Sequence, residues 1–198
     1  MLDFLTIDEV ELKGKTVLLR VDINVPVDHV SLRIAESKRI EAIRSTVEEL
    51  VDRESKVVLI AHQGRAGDYD FLPLDQHADV LSRTFGEAFD YVDDTIGVAA
   101  RERVKEMKPR DVLLLQNVRF LAEETLDRTP EEHATTILVQ RLGSLADVFV
   151  NDAFSAAHRS HASLVGFTCT LPSVAGRNME RELRFDRQVF VNCLLYTS

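Results

Sequence analysis

Short apolar runs alternate with longer amphipathic segments along most of this 198-residue chain, and that alternation limits the fold more than any other feature. Thr16-Val-Leu-Leu-Arg20, Lys56-Val-Val-Leu-Ile-Ala61, Phe89-Asp-Tyr-Val92, Asp111-Val-Leu-Leu-Leu115 and Val148-Phe-Val150 read as strands. Glu36 to Arg53 places Ile40, Ile43, Val47, Leu50 and Val51 on one helical face. Leu74 to Phe85, opened by Pro73, buries Leu74, Ala78 and Leu81 as a second helix. A third, Ile96 to Met107, has Lys105 and Lys108 where cations suit the helix dipole, and Pro109 stops it. Thr129-Pro130-Glu-Glu supplies an N-cap, a first-turn proline and early acids to a helix expected to reach Leu142 and end at Gly143.

Strand-to-strand connections of this length suit parallel βαβ units. The expected fold is therefore α/β: an open, doubly wound, mostly parallel sheet with helices on both faces, a Rossmann-like three-layer arrangement. Pro172 to Arg187 is expected to be helical, with Met179, Leu183 and Phe185 as its apolar contacts, against the propensities of Gly176 and Asn178. After Arg187 the text changes, and the apolar stretch ending at Ser198 has no partner element. Residues 188–198 are expected to be a truncated or non-native tail, from roughly Asn192 onward a truncation or cloning scar.

In such a sheet, ligands sit beyond the carboxyl ends of the strands, so the residues just past each strand matter most. Asp22 and Asn24 come after the first, in RVDINVPVD, and His62, Gly64 and Arg65 after the second, in AHQGR. Asn117 and Arg119 come after the fourth, in QNVRF. The stretch DVFVNDAFSAAHRSHASLVGF, Asp147 to Phe167, puts Asn151, Asp152, His158, Arg159 and His161 after the fifth. Arg39 opens the first long helix beside the same rim. The chain carries a formal net charge of −9, so four arginines on one rim are not a sample of its general surface. Guanidinium forks match phosphate and carboxylate oxygens, which points to a small anion bearing those groups and hydroxyls.

Each residue alone has a plainer explanation. Arg39 could be a solvated helix arginine, His62 a core histidine and Asp152 a helix cap. HRSH at His158 to His161 lacks the cysteine or nearby carboxylate of a tetrahedral zinc site. Convergence on one rim is what argues for a site. The chain has no GxxxxGK[ST], GxGxxG or GxSxG, and Cys169 and Cys193 make neither a metal spacing nor a disulfide framework. The net charge argues against nucleic-acid and anionic-membrane partners, and no apolar run approaches the ~20 residues of a membrane span. With no basic, apolar leader at the N-terminus, a cytoplasmic setting is expected.

RVDINVP (Arg20 to Pro26), Arg39-Ile40 opening a helix, AHQGR (Ala61 to Arg65), NVRF (Asn117 to Phe120) and NDAFSAAHRSHAS (Asn151 to Ser163) occur in the order and spacing of phosphoglycerate kinase. Over about its first 185 residues the chain resembles that family, in forms closer to the archaeal branch. The resemblance implies a hinge enzyme that transfers a phosphoryl group between 1,3-bisphosphoglycerate and ADP, giving 3-phosphoglycerate and ATP. It implies substrate contacts at Asp22, Ile23, Asn24, Arg39, His62, Gln63, Gly64, Arg65, Arg119 and Arg159, with Arg39 the catalytic group on the phosphoryl in flight. Ser155 stands where glycine is frequent in the family, Gln63 where leucine is, and Asn178 where an apolar residue is expected.

By the same resemblance, residues 1–172 form the 3-phosphoglycerate-binding domain and 173–187 begin the interdomain helix. The partner nucleotide-binding domain, with Mg-ATP or Mg-ADP as cofactor, is absent, so the chain alone is expected to be inactive. Two readings from other classes stand beside this one: a stand-alone anion-binding or regulatory module, and a metal-dependent hydrolase using Asp152, His158 and His161.

Overall fold

A computed structural model describes residues 4–35, 38–86 and 89–195, with side chains as far as residue 187. Six strands form one sheet: β1 (Thr16–Arg20), β2 (Lys56–Ile60), β3 (Asp90–Tyr91), β4 (Val112–Leu114), β5 (Val148–Asn151) and β6 (Ser173–Ala175). Their order is β3-β4-β2-β1-β5-β6, and every pairing is parallel. The expected open parallel sheet is therefore present.

A strand buried on both faces reads as a continuous apolar run, which is why these segments lack polar alternation. Val17, Leu19, Val57, Leu59, Val112, Leu114, Val148 and Val150 point into one core. There they meet Ile40 of α1 (Lys38–Ala42), Val47 and Leu50 of α2 (Arg44–Asp52), and Ala78 and Leu81 of α3 (Asp75–Phe85). Leu18, Val58, Ile60, Leu113 and Phe149 point the other way, toward Ala100 and Val104 of α4 (Val98–Glu106). Leu138 and Leu142 join them from α6 (Ile137–Gly143), as does Phe167, whose ring centroid lies 5.1 Å from that of Phe149.

Three helix expectations are corrected. The helix expected from Glu36 to Arg53 is interrupted at Ile43, whose buried side chain joins the core while its carbonyl accepts the Val47 amide at 3.1 Å; residues 36 and 37 lie outside the described residues. The helix expected from Thr129 to Leu142 is two, α5 (Pro130–Ala134) and α6. Thr136 ends the first by donating its hydroxyl to the His133 carbonyl at 2.7 Å, and starts the second as its N-cap. A threonine hydroxyl offers the backbone an alternative to the helical bond. Finally, Ser173–Ala175 is a sixth strand rather than helix; α8 begins at Arg177 and runs to Leu195. Three residues are too few to show strand periodicity. The Leu5 carbonyl accepts the Ala175 amide and Thr6 pairs with Ala175, which shields that edge.

The base of α8 is tied to the sheet by Asp152. Its Oδ1 accepts the Met179 amide at 3.0 Å, and its Oδ2 accepts the Thr46 hydroxyl at 2.7 Å. That hydroxyl in turn accepts the Arg177 amide at 2.9 Å, so one carboxyl serves two orphan amides of the first turn. Gly176 permits the approach, since a Cβ there would lie 2.4 Å from Asp152 Oδ1. Asn178 is not a packing fault: it donates to the Asp152 carbonyl and accepts from Arg181. Outside, Arg177 bridges Glu49 and Asp8 at 2.7 and 2.6 Å, and Arg53 pairs with the same two acids.

Burial raises the Asp152 carboxyl to about 6, against the pull of the Met179 amide and the Thr46 hydroxyl. A folded value above the unfolded one means that the fold prefers the protonated acid. This contribution to stability is full below the ordinary aspartate value of 3.8 and is lost as pH rises through about 6. The difference is worth roughly 3 kcal/mol. Asp152→Asn, which cannot titrate, should therefore gain stability relative to the parent chain between about pH 4 and pH 7. Denaturant melts of both proteins across that range test this, and a constant difference would refute it.

Candidate functional site

β1 and β5 are neighbours, yet the chain leaves β1 toward β2 on one side and leaves β5 toward β6 on the other. At such a switch the two connections diverge and leave a crevice at the strand ends. Past β1 the chain stays extended, burying Val21, Ile23 and Val25 while Asp22 and Asn24 face outward. Asp22 pairs with Arg39 of α1 and also accepts the Ser155 hydroxyl. These three side chains, with Asp152 and Asn178, line a hollow of about 200 Å³.

The loop after β2 carries the next set. Gly64 adopts φ +68°, and a Cβ there would lie 2.3 Å from the Asp70 carbonyl oxygen. Its amide donates to Asn24 Oδ1 at 2.9 Å, which joins the first two strand ends. Asn117 braces the same loop, donating to the Gln63 and Leu72 carbonyls at 2.8 and 2.9 Å and accepting the Arg119 amide at 3.1 Å. Arg119 donates from Nη1 to the Gly64 carbonyl.

The result is a cavity of about 400 Å³ lined by Arg65, Ala66, Arg119, Thr125, Arg159 and His161. Among the described residues, Arg65, Arg119 and Arg159 form no ion pair with a carboxylate, and none of the six lining residues is acidic. Burial, and then the charge of Arg159, work against the Arg119 cation. Burial, followed by Arg119, Arg159 and Arg20, holds His161 down to about 4, so the imidazole is neutral at pH 7. His62 is depressed further, by burial and then by Arg20. The site's charge is carried by guanidinium groups.

Two residues of the expected contact set sit below the rim rather than on it. Ile23 is a core side chain with no exposure, and Gln63 is fully buried. The Gln63 amide donates to the Val25 and Asp70 carbonyls, while its oxygen accepts the Val25 amide and faces His77 Nε2. Neither side chain has a group to spare, so each can offer a ligand only its main chain. The hydrolase constellation is not assembled: Asp152 lies under α8, His158 is exposed and His161 lines the cavity. Among the described residues no three His, Cys, Asp or Glu side chains converge as metal ligands.

Sequence reasoning missed the layer beneath. Arg20 looked like the last residue of a strand, yet it is fully buried. Its Nε donates to Ser163 Oγ at 2.8 Å, its Nη1 to the Val21 carbonyl, and its Nη2 meets His62 Nδ1 at 2.9 Å. Glu124, also fully buried, accepts both the hydroxyl and the amide of Ser163, at 2.7 and 2.8 Å. An arginine ending an apolar run was the one available signal for Arg20; Glu124 in LAEET had none. Gly64→Ala, which adds a clash and a strained φ, should cost about 1–3 kcal/mol in denaturant melts and loosen Arg119. Unchanged stability would mean that the loop is not held as described.

The family model for phosphoglycerate kinase matches residues 7–193. The chain is 50% identical over 183 residues to the phosphoglycerate kinase of Methanobacterium bryantii, covering 92% of itself and 45% of that protein. It is 51% identical over 181 residues to that of Methanothermobacter thermautotrophicus, covering 91% of itself and 44% of that protein. Among solved structures it resembles the phosphoglycerate kinase of Pyrococcus horikoshii OT3 with a TM-score of 0.88 at 38% identity, over 91% of this chain and 44% of that one. The enzyme from Coxiella burnetii gives 0.74 at 29% identity, over 91% and 43%. The chain thus spans less than half the length of these relatives. A match that runs through every strand and every rim loop described above places the chain in the phosphoglycerate kinase family.

Proposed function

We propose that this chain is the acceptor-substrate half of a phosphoglycerate kinase and that its cavity binds 3-phosphoglycerate or 1,3-bisphosphoglycerate. The observation that carries this reading is the gathering of Arg65, Arg119 and Arg159 around about 400 Å³ without a carboxylate partner. Uncompensated guanidinium groups repel one another, so an anion that bridges them is favoured. In this reading these arginines hold the ligand's phosphate and carboxylate, assisted by His62 and the Gly64 main chain. Asp22 and Asn24 meet the glycerate hydroxyl. Arg39, kept beside Asp22 at the rim, turns toward the phosphoryl group as it transfers and stabilises its charge.

The cavity's donor set suits anionic oxygens and not a Mg²⁺ ion, because no lining residue is acidic. Mg-ADP or Mg-ATP would be held by the part of the relatives that this chain does not span, and bound there would supply the phosphoryl donor or acceptor. What these residues do is bind, orient and exclude water from the triose substrate when that part closes on them. The chain alone would bind substrate without turning it over, in a cytoplasmic setting, with no nucleic acid or membrane as partner. Among the described residues no helix is long and apolar enough to cross a membrane.

Calorimetric titration with 3-phosphoglycerate tests this reading. Saturable binding should weaken with salt and fall about tenfold or more in Arg159→Ala. Because His62 and His161 are neutral, affinity should not weaken as pH rises from about 6.5 to about 8.5, where the ligand phosphate gains charge. Absence of binding by the folded chain, or a loss of affinity through that range, would overturn the assignment.

A further inference from the structure

Glu124 is not among the residues lining the arginine cavity, yet it lies beneath them with no exposure to solvent. Burial pushes its carboxyl up, against the pull of Arg20, of the Ser163 hydroxyl and amide, and of Arg119. Such a group is kept in a fold only when its hydrogen bonds are all used. Its hydrogen bonds lead toward Ser163, while His161 Nδ1 lies 3.7 Å from Oε1 without a hydrogen bond. Ser163 N–H donates to Glu124 Oε2 and Ser163 O–H to Oε1, so the serine proton is spent on the carboxylate and its lone pair faces Arg20. Arg20 donates its Nε–H to that lone pair, its Nη1–H to the Val21 carbonyl and its Nη2–H toward His62 Nδ1.

A guanidinium has donors and no acceptor, so the His62 atom facing it must be unprotonated. The ring proton then resides on Nε2, which bonds to no described residue. Three further groups act on the ring through their charge: Arg119 from the loop after β4, and Arg159 and His161 from the loop after β5. All disfavour a second proton on it. We propose that Glu124 is a positioning residue for this site: through the Ser163 hydroxyl and the buried Arg20 it fixes His62 in the Nε2–H tautomer, so that the ring meets an anion as a neutral hydrogen-bond donor. The chain of bonds runs across three elements. Glu124 is held in the single helical turn Ala122–Thr125, Ser163 in α7 (Ala162–Val165), and Arg20 ends β1. The inference rests on the anion-binding reading for its consequence, though not for its geometry.

Nitrogen-15 NMR of the imidazole rings in this chain tests it without ligand. His62 should show the Nε2–H tautomer alone and should not titrate between about pH 5 and pH 9. In Glu124→Gln and in Ser163→Ala the tautomers should mix, and 3-phosphoglycerate affinity should fall about tenfold. Ser163→Thr, which keeps the hydroxyl, should retain the single tautomer. A proton on Nδ1 in the parent chain, a titration near neutral pH, or a folded Glu124→Gln that keeps the single tautomer would overturn the proposal. If either truncating variant fails to fold, the parent spectrum and the other variant decide it. If the parent shows the expected tautomer and 3-phosphoglycerate does not bind, the functional reading falls and the positioning chain stands.

Discussion

A fully buried guanidinium at the end of the central strand is the constraint on which the rest of this structure depends. Arg20 is the last residue of β1, and β1 pairs with both β2 and β5. Leaving such a cation without partners in the interior would cost several kcal/mol, so its surroundings must supply acceptors with good geometry. They come from three places in the chain: the Val21 carbonyl, the His62 ring and the Ser163 hydroxyl. Satisfying Arg20 therefore fixes the loops after β2 and β5 relative to β1. Those loops carry Arg65 and Arg159, so the buried cation sets the spacing of the exposed ones.

Above that layer the energetic logic reverses. Elsewhere on this chain cations gather acids around them: Arg44 sits between Glu41 and Glu48, and Arg177 among Asp8, Glu49 and Glu180. Arg65, Arg119 and Arg159 form no ion pair with a carboxylate among the described residues, although the chain carries a formal charge of −9, and Glu124 acts on Arg119 only from a distance. Like charges so gathered repel one another. Arg39 is the exception on the rim, because Asp22 holds it.

The junction with α8 is built on the same rim. Asp152 follows β5 directly, caps α8 through two routes, and lines the hollow that also contains Asp22 and Arg39. A rotation of that helix would thus be felt at the outward face of Asp22. The sheet reaches one strand further along the chain than residue 172, since β6 pairs with β5 and the helix begins only at Arg177.

The layered fold was legible because its causes are local. Uninterrupted apolar runs can only be strands buried on both faces, and a helical face such as Ile40, Val47 and Leu50 has to meet them. Failures of that reading were also local, at Thr136, where a hydroxyl competes with the helix, and at Ser173–Ala175, which is too short for periodicity. The rim arginines could be named because parallel strands send all their carboxyl ends to one edge whatever lies between them. The division between rim and interior belonged to the tertiary structure. Nothing in RVDIN, AHQGR or LAEET separates Arg20 from Arg65, Gln63 from Asn24, or Glu124 from any surface acid. Burial depends on which loops the fold stacks together, and the hydrogen-bond chain from Glu124 to His62 passes through Ser163 and Arg20, 143 residues apart in sequence, in only three contacts in space. Side-chain type determined where charge could gather; packing alone decided which charges were spent inside and which were left at the rim.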